Sequence, residues 1–183
     1  MAVIRYVDKH ELGAANQDLL ARNFNSFRAL ANSPDCCRAF WGLGGFLQKK
    51  SRLDPRLREL AILQIGWKSQ CRYEWAHHVK VALENGVSDA DIRSMMAETR
   101  GEATPLEPVA RAVLRAAREM YNGPGATPDT VTTIEAAIGT ESVVDLVVAI
   151  GFYIGVVRLL VTLDIELEPE YLPYIERFPL MET

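Results

Sequence analysis

Residues 58–78 read RELAILQIGWKSQCRYEWAHH, and four of them, Glu59, Cys71, Glu74 and His78, are of types that move protons or hold reactive sulfur. Cys71, Glu74 and His78 stand at i, i+3 and i+7, a spacing that puts all three on one face of a helix. Glu74 and His78 are i,i+4 neighbours, close enough for a carboxylate to orient an imidazole and raise its basicity. His77 points about a third of a turn away from that face. Glu59 falls on the preceding helix, inside the otherwise apolar run Leu57 to Trp67. A carboxylate there must be paired, or its pKa rises.

Three chemistries fit these residues. An imidazole with a pKa near neutrality suits acid–base catalysis. A reactive thiol at Cys71 would be favoured by the helix start and by His78 and opposed by Glu59 and Glu74, so the signs conflict. Cys36-Cys37 would resolve a sulfenic acid at Cys71 only if it lay nearby. Glu59, Glu74, His77 and His78 are also candidate metal ligands, but a Glu-x-x-x-His pair is common on helices and His77 lies off the shared face, so no metal is assigned. Each residue also has a purely structural reading. His78 would be a core histidine bonded to a carboxylate, Cys71 a small buried residue, Glu74 a partner of Lys80 or Arg72, and Glu59 a partner of Arg56 or Arg58.

Helices must position these side chains, because the punctuation of the chain is helical almost throughout. Leu12, Ala15, Leu19, Phe24, Phe27 and Leu30 recur at roughly helical spacing over residues 8–31. Ser33-Pro34-Asp35 predicts a capped helix carrying Phe40, Trp41, Leu43 and Phe46, with Gly42, Gly44 and Gly45 weakening its end. Asp54-Pro55 repeats that signal for a helix holding Leu57 to Trp67. Lys68-Ser69-Gln70 turns the chain into a helix from Cys71 to Asn85, closed by Gly86. Ser88-Asp89-Ala90-Asp91 opens another. Thr104-Pro105-Leu106-Glu107 reads as a capping box for a helix running to about Tyr121. Thr127-Pro128 starts a helix that Gly139 ends, and Thr140 caps a long apolar one. Glu166 to Thr183 holds three prolines and predicts an irregular arm. No run alternates as strands do, so the class is all-α, a single domain over residues 1–183 with about eight helices.

The 183 residues are 49% hydrophobic and 24% charged, enough apolar material for one real core. A net charge of −4 without a dense Lys/Arg cluster argues against nucleic acid as a partner. The N-terminal MAVIRYVDKHELG lacks the apolar core of a secretory signal, and three cysteines are too few for a disulfide framework. A reducing cytoplasm is the expected home. Val143 to Leu163 is long enough to span a bilayer, but Asp145 and Arg158 interrupt it, so it reads as a buried helix, in the core or between subunits, and no membrane partner is expected.

The run RxREL(A/I)L followed by Cys71, Glu74-Trp75-Ala76-His77-His78 and Asn85-Gly86-Val87-Ser88 resembles the carboxymuconolactone decarboxylase-like superfamily, which includes the alkylhydroperoxidase D proteins. The resemblance extends over residues 40–167, is strongest from Arg56 to Ile92, and leaves residues 166–183 as a C-terminal arm. In the alkylhydroperoxidase D branch a Glu is followed by Cys-x-x-Cys and a His. Glu59, Cys71 and His78 take the Glu, first-Cys and His positions, while Glu74 stands where the second, peroxide-attacking Cys would be. The decarboxylase branch carries Glu-Leu-x-x-His, which Glu74 and His77-His78 resemble, although Arg58-Glu59 departs from its usual Arg-Ser.

The resemblance implies the alkylhydroperoxidase D-like helical fold and a homotrimer or hexamer, with Gly151-x-x-x-Gly155 suited to close helix packing. It also implies decarboxylation or lactone chemistry on a small organic acid, which needs no metal or organic cofactor. In that reading His78 donates the proton, Glu74 orients it, a protonated Glu59 hydrogen-bonds the substrate and Cys71 lines the pocket. Trp75, Tyr153 and Arg158 are the candidate substrate-binding residues, Arg158 for a carboxylate. Two alternatives stay open: a peroxidase-related oxidoreductase using Cys71 alone, and a non-catalytic oligomeric binding protein.

Overall fold

The computed structural model describes residues 2–180. The described residues form nine α-helices with three short 3-10 turns and no strand. The helices are α1 (Asn25–Leu30), α2 (Pro34–Lys49), α3 (Pro55–Ser69), α4 (Arg72–Glu84), α5 (Asp89–Thr99), α6 (Pro108–Asn122), α7 (Pro128–Ile138), α8 (Thr140–Thr162) and α9 (Leu172–Arg177).

The third helix is the axis of the fold. Every residue from Leu57 to Trp67 is buried, because α4, α5, α6 and α8 all pack against it. A helix enclosed on all sides needs no polar face, which is why Leu60, Ala61, Ile62, Leu63 and Ile65 run together in the sequence. Its start is fixed by Pro55 at the first turn and by Asp54, whose side chain accepts from the Arg56 and Leu57 amides at 2.8 and 3.1 Å. Its end is a sharp reversal at Gln70, with φ of 52°. The return helix α4 comes so close that a Cβ on Gly66 would touch the Trp75 backbone at 3.4 Å. A second close approach joins α2 to α8, where a Cβ on Gly44 would meet the Phe152 ring at 3.4 Å. The three glycines of α2 therefore do not end it; it runs on to Lys49.

Three expectations about the elements are corrected. Residues 8–31 are two 3-10 segments, Lys9–Glu11 and Ala14–Leu20, followed by the short α1; Gly13 separates the first two, and their few apolar residues form a small separate cluster with Val7, Leu12, Leu20 and Ala31. The box predicted at Thr104 to Glu107 does not form, because Pro108 takes the first helical position and Glu107 becomes the cap residue, its carboxylate turned to Arg56. The tail is not an irregular arm. Pro169–Tyr171 and α9 fold onto α4, with Pro169 and the proline of α9 in first turns rather than as breakers. Phe178 is fully buried and its carbonyl accepts from Trp75 Nε1 at 2.7 Å. Residues 181–183 of the predicted arm lie outside the described residues.

The apolar α8 packs against α2, α3, α4, α6 and α7, so its core face is Leu146, Ala149, Ile150, Tyr153, Val156, Val157 and Leu160. By length and composition alone it passes as a membrane span. Its outer face keeps Val144, Val147 and Val148 exposed, and open space surrounds Gly151 and Gly155.

Asp54→Ala should lower unfolding free energy by about 1 kcal/mol, with Asp54→Asn close to wild type. Urea denaturation measures this; an alanine variant as stable as wild type would show that the cap does not hold the central helix.

Candidate active site

At the centre of the cluster is Glu59, with no exposed surface at all. Its two oxygens are fully engaged. Oε2 meets His78 Nδ1 at 2.7 Å, and Oε1 accepts from Arg58 Nε at 3.0 Å and from Gln48 Nε2 at 3.1 Å. The Gln48 amide also donates to the Tyr153 hydroxyl at 3.0 Å. The Tyr153 ring stands edge-on to the His78 imidazole, centroids 4.9 Å apart. Four helices thus deliver one network: α2 gives Gln48, α3 gives Arg58 and Glu59, α4 gives Glu74 and His78, and α8 gives Tyr153.

The electrostatics follow from those contacts. Burial pushes the Glu59 carboxyl up, but the His78 and Arg58 charges and the hydrogen bonds outweigh it and hold Glu59 below the usual range. Glu59 is therefore charged, which corrects the expectation of a protonated Glu59 offering a hydrogen bond to substrate; the physical reason is the His78 imidazole bonded to it, with the Arg58 guanidinium adding to the effect. Burial likewise pushes His78 down, and the two glutamates more than reverse this, so His78 holds its proton more tightly than a free imidazole. Glu74 behaves differently. Its burial raises the carboxyl to about 7, with His78 pulling down and Glu59 adding to the rise.

Glu74 Oε1 comes within 3.2 Å of His78 Nε2, yet it is not aligned for a hydrogen bond with any group. We read this as an ion-pair approach and no more. Glu59, at 2.7 Å on Nδ1, is the group that orients the imidazole, a role expected of Glu74. Arg58 Nη2 is also buried without a partner. One acceptor and one donor in the same cluster are thus left without a hydrogen-bond partner in the folded chain.

Cys71 caps α4 and is buried. Its thiol lines a separate surface cleft of about 370 Å³ with Gln70, Tyr73, Leu160 and Leu167. Burial, aided by the Glu74 charge and opposed by the Tyr73 and Glu74 backbone amides, pushes this thiol up to about 12. It therefore stays protonated at neutral pH, and no cysteine among the described residues is disulfide-bonded. Of the expected substrate-binding residues, only Tyr153 joins the network. Trp75 packs against Trp67, ring centroids 5.4 Å apart, and spends its indole proton on Phe178. Arg158 is exposed, its guanidinium over the Tyr121 ring at 5.4 Å. Gln48 was missed in the sequence; its only signal there is a polar side chain next to the otherwise buried Leu47.

His77, off the shared face, belongs to a second cluster. Its Nε2 meets Glu168 Oε2 at 2.7 Å, and its ring stacks on Tyr171 and Tyr73 at 3.7 and 4.4 Å. Glu168 Oε1 takes the Tyr73 hydroxyl and the Asn25 amide. His77 is therefore a structural clasp on the C-terminal segment and does not join Glu59, Glu74 and His78. Among the described residues no three His, Cys, Asp or Glu side chains form a group that would hold a metal ion.

Because the folded chain holds the Glu74 proton more tightly than the unfolded chain, this group costs stability as pH rises from about 4.5 to about 7, and the cost is complete above that window. Glu74→Gln should thus gain on wild type, by on the order of 3 kcal/mol, between about pH 4 and pH 8. Urea denaturation of both proteins at the two pH values measures the gain; a constant difference would mean that Glu74 does not titrate there.

The carboxymuconolactone decarboxylase family model matches residues 34–119, a stretch that contains Gln48, Arg58, Glu59, Cys71, Glu74 and His78. Three solved structures share the fold. A peroxidase-related protein with an alkylhydroperoxidase D core from Ralstonia eutropha JMP134 superposes with a TM-score of 0.80 at 18% identity, covering 95% of both chains. A protein of unknown function from Agrobacterium tumefaciens, ascribed to antioxidant defence, gives 0.66 at 24% identity over 76% of this chain and 94% of its own. A debrominase solved with 2,3,4-tribromopyrrole gives 0.71 at 14% identity over 96% and 98%. No curated protein matches the sequence. At these identities the structural likeness establishes the fold and not a shared reaction. The family match over α2, α3 and α4, which carry most of the cluster, together with the common fold, makes the chain similar to the carboxymuconolactone decarboxylase-like, alkylhydroperoxidase D-like superfamily.

Proposed function

We propose that the chain is an enzyme performing cofactor-free acid–base chemistry on a small organic acid, of the kind that decarboxylates a carboxymuconolactone-type substrate. The observation that carries this is an imidazole flanked by two buried carboxylates, one held charged on Nδ1 and one with a pKa near 7 beside Nε2. Such a triad stores a proton close to neutral pH, where general acids work best.

In the proposed reaction the bond between the substrate carbon and its carboxylate breaks, CO2 leaves, and the electron pair flows into a conjugated carbonyl. Two donors suit the developing enolate oxygen: Arg58 Nη2, which has no protein partner, and the Tyr153 O–H, whose oxygen already accepts from Gln48. His78 then protonates the carbon and recovers a proton from Glu74 or solvent. Glu59 keeps the imidazole oriented and favours its charged form, as a buried carboxylate does for a catalytic histidine.

The single-thiol alternative has less support, because Cys71 keeps its proton and Glu74 stands where a second thiol would be needed. Self-association, as a homotrimer or hexamer, belongs to the same proposal. It is supported by the exposed Leu43 and Phe46 on α2 and the exposed Val144, Val147 and Val148 on α8.

The test is CO2 release and loss of lactone absorbance with a carboxymuconolactone. His78→Ala is expected to cut turnover by roughly 10²- to 10⁴-fold; equal rates in variant and wild type would remove His78 from the mechanism. In parallel, peroxide consumption by Cys71→Ser should equal that of wild type, and a lost peroxidase activity would instead favour the thiol reading.

A further inference from the structure

A second cleft, remote from the histidine cluster, opens between α5, α6 and α7. It holds about 370 Å³ and is lined by Glu98, Pro108, Arg111, Ala112, Arg115, Arg118 and Thr133. That volume suits a small molecule. Its distinguishing feature is charge. Arg111, Arg115 and Arg118 sit at i, i+4 and i+7 on α6, so all three project from one face of a strongly amphipathic helix in a chain whose net charge is −4.

The three arginines are not equally spent. Arg118 is half-buried and bound at both ends, donating to Gln64 Oε1 at 3.0 Å and to Glu98 Oε1 at 3.1 Å. Arg115 has only a long approach to Glu119, at 3.9 Å. Arg111 has no ion pair among the described residues. Glu98 neutralises Arg118, so beside the cavity Arg111 is left without a carboxylate partner among the described residues and Arg115 is held only by its long ion pair with Glu119. Two polar atoms on the partners of Arg118 also lack partners of their own. Glu98 Oε2 is a buried acceptor in the lining, and Gln64 Nε2 belongs to a fully buried side chain held by Arg118 and by the Thr99 hydroxyl. A buried carboxylate oxygen with no donor is costly, and a ligand hydroxyl would supply one.

We propose that this cleft binds a small hydroxylated organic polyanion. Its carboxylate or phosphate groups are taken by Arg111 and Arg115, whose guanidinium forks match the geometry of either group. Its hydroxyl donates to Glu98 Oε2. Thr133 is not available as a donor, since its hydroxyl is already committed to the Asp129 carbonyl at 2.8 Å. The ligand class follows from this pairing of one unpaired and one loosely paired cation with one unspent acceptor, and it does not depend on the reaction proposed for the histidine cluster.

Calorimetric titration of the full chain with citrate and with glycerol 2-phosphate, at low ionic strength, tests this. Saturable binding is expected for at least one probe, weakened tenfold or more in the double variant Arg111→Gln/Arg115→Gln. Both residues are exposed, so the variant should keep wild-type helicity and melting temperature. Tricarballylate, which is citrate without its hydroxyl, should bind several-fold more weakly than citrate; equal binding would overturn the contact with Glu98. Arg22→Gln, at an exposed arginine that does not line the cleft, should bind like wild type. No saturable binding of either probe, or binding that the double variant leaves unchanged, would overturn the site.

Discussion

The structure turns on one buried negative charge. Glu59 lies on the helix that α4, α5, α6 and α8 pack against, with no exposed surface, and an uncompensated carboxylate there would cost several kcal/mol. Arg58 lies beside it and is itself buried, so the two neutralise each other, and Gln48 and His78 complete the shell. Because these groups come from α2, α3 and α4, and Gln48 passes the chain of hydrogen bonds to Tyr153 on α8, the helices cannot shift relative to one another without exposing that charge. The device that orients the candidate acid–base histidine is thus also a constraint on how the bundle closes.

The fourth helix carries consecutive histidines that do different work. His78 faces the interior network, while His77 faces the C-terminal segment and is sandwiched between Tyr73 and Tyr171 with Glu168 at its ring nitrogen. Burial lowers the pKa of His77, whereas the two glutamates raise that of His78. The contrast has a plain cause. His77 has one carboxylate partner and aromatic walls, and His78 has two carboxylates. Adjacent residues of one type therefore divide into a clasp on the C-terminal segment and a member of the interior network according to what the facing elements supply.

Glu74 shapes the chemistry open to this chain. In the redox relatives that the sequence resembles, that position carries a thiol. Here a buried carboxyl with a pKa near neutral stands there, and Cys71 lies at the helix cap, where burial keeps it protonated. The unmet atoms of the cluster, Glu74 Oε1 and Arg58 Nη2, are an acceptor and a donor of hydrogen bonds, not a pair of sulfurs. That set is what the proposed acid–base reading rests on.

The sequence by itself determined the helical class, the central apolar helix and the shared face of Glu74 and His78, because each of these is a matter of local spacing, caps and periodicity. It also pointed to Glu59 as a charge needing a partner, and to Tyr153 as a polar group on an apolar helix. Only the tertiary structure decided which partner each would have. Arg58, Gln48 and His78 all converge on Glu59, and nothing in their separations along the chain shows that convergence. For the same reason Trp75, adjacent to Glu74 in sequence, turned to Phe178, and Arg158 stayed at the surface. The tail carried prolines that suggest an irregular arm, yet residues 169–177 formed helical turns, since Glu168 and Phe178 found a buried histidine and an indole to bind. Protonation states were the last thing to be decided, because a pKa depends on burial and on charges brought near by folding, and neither is a property of the sequence alone.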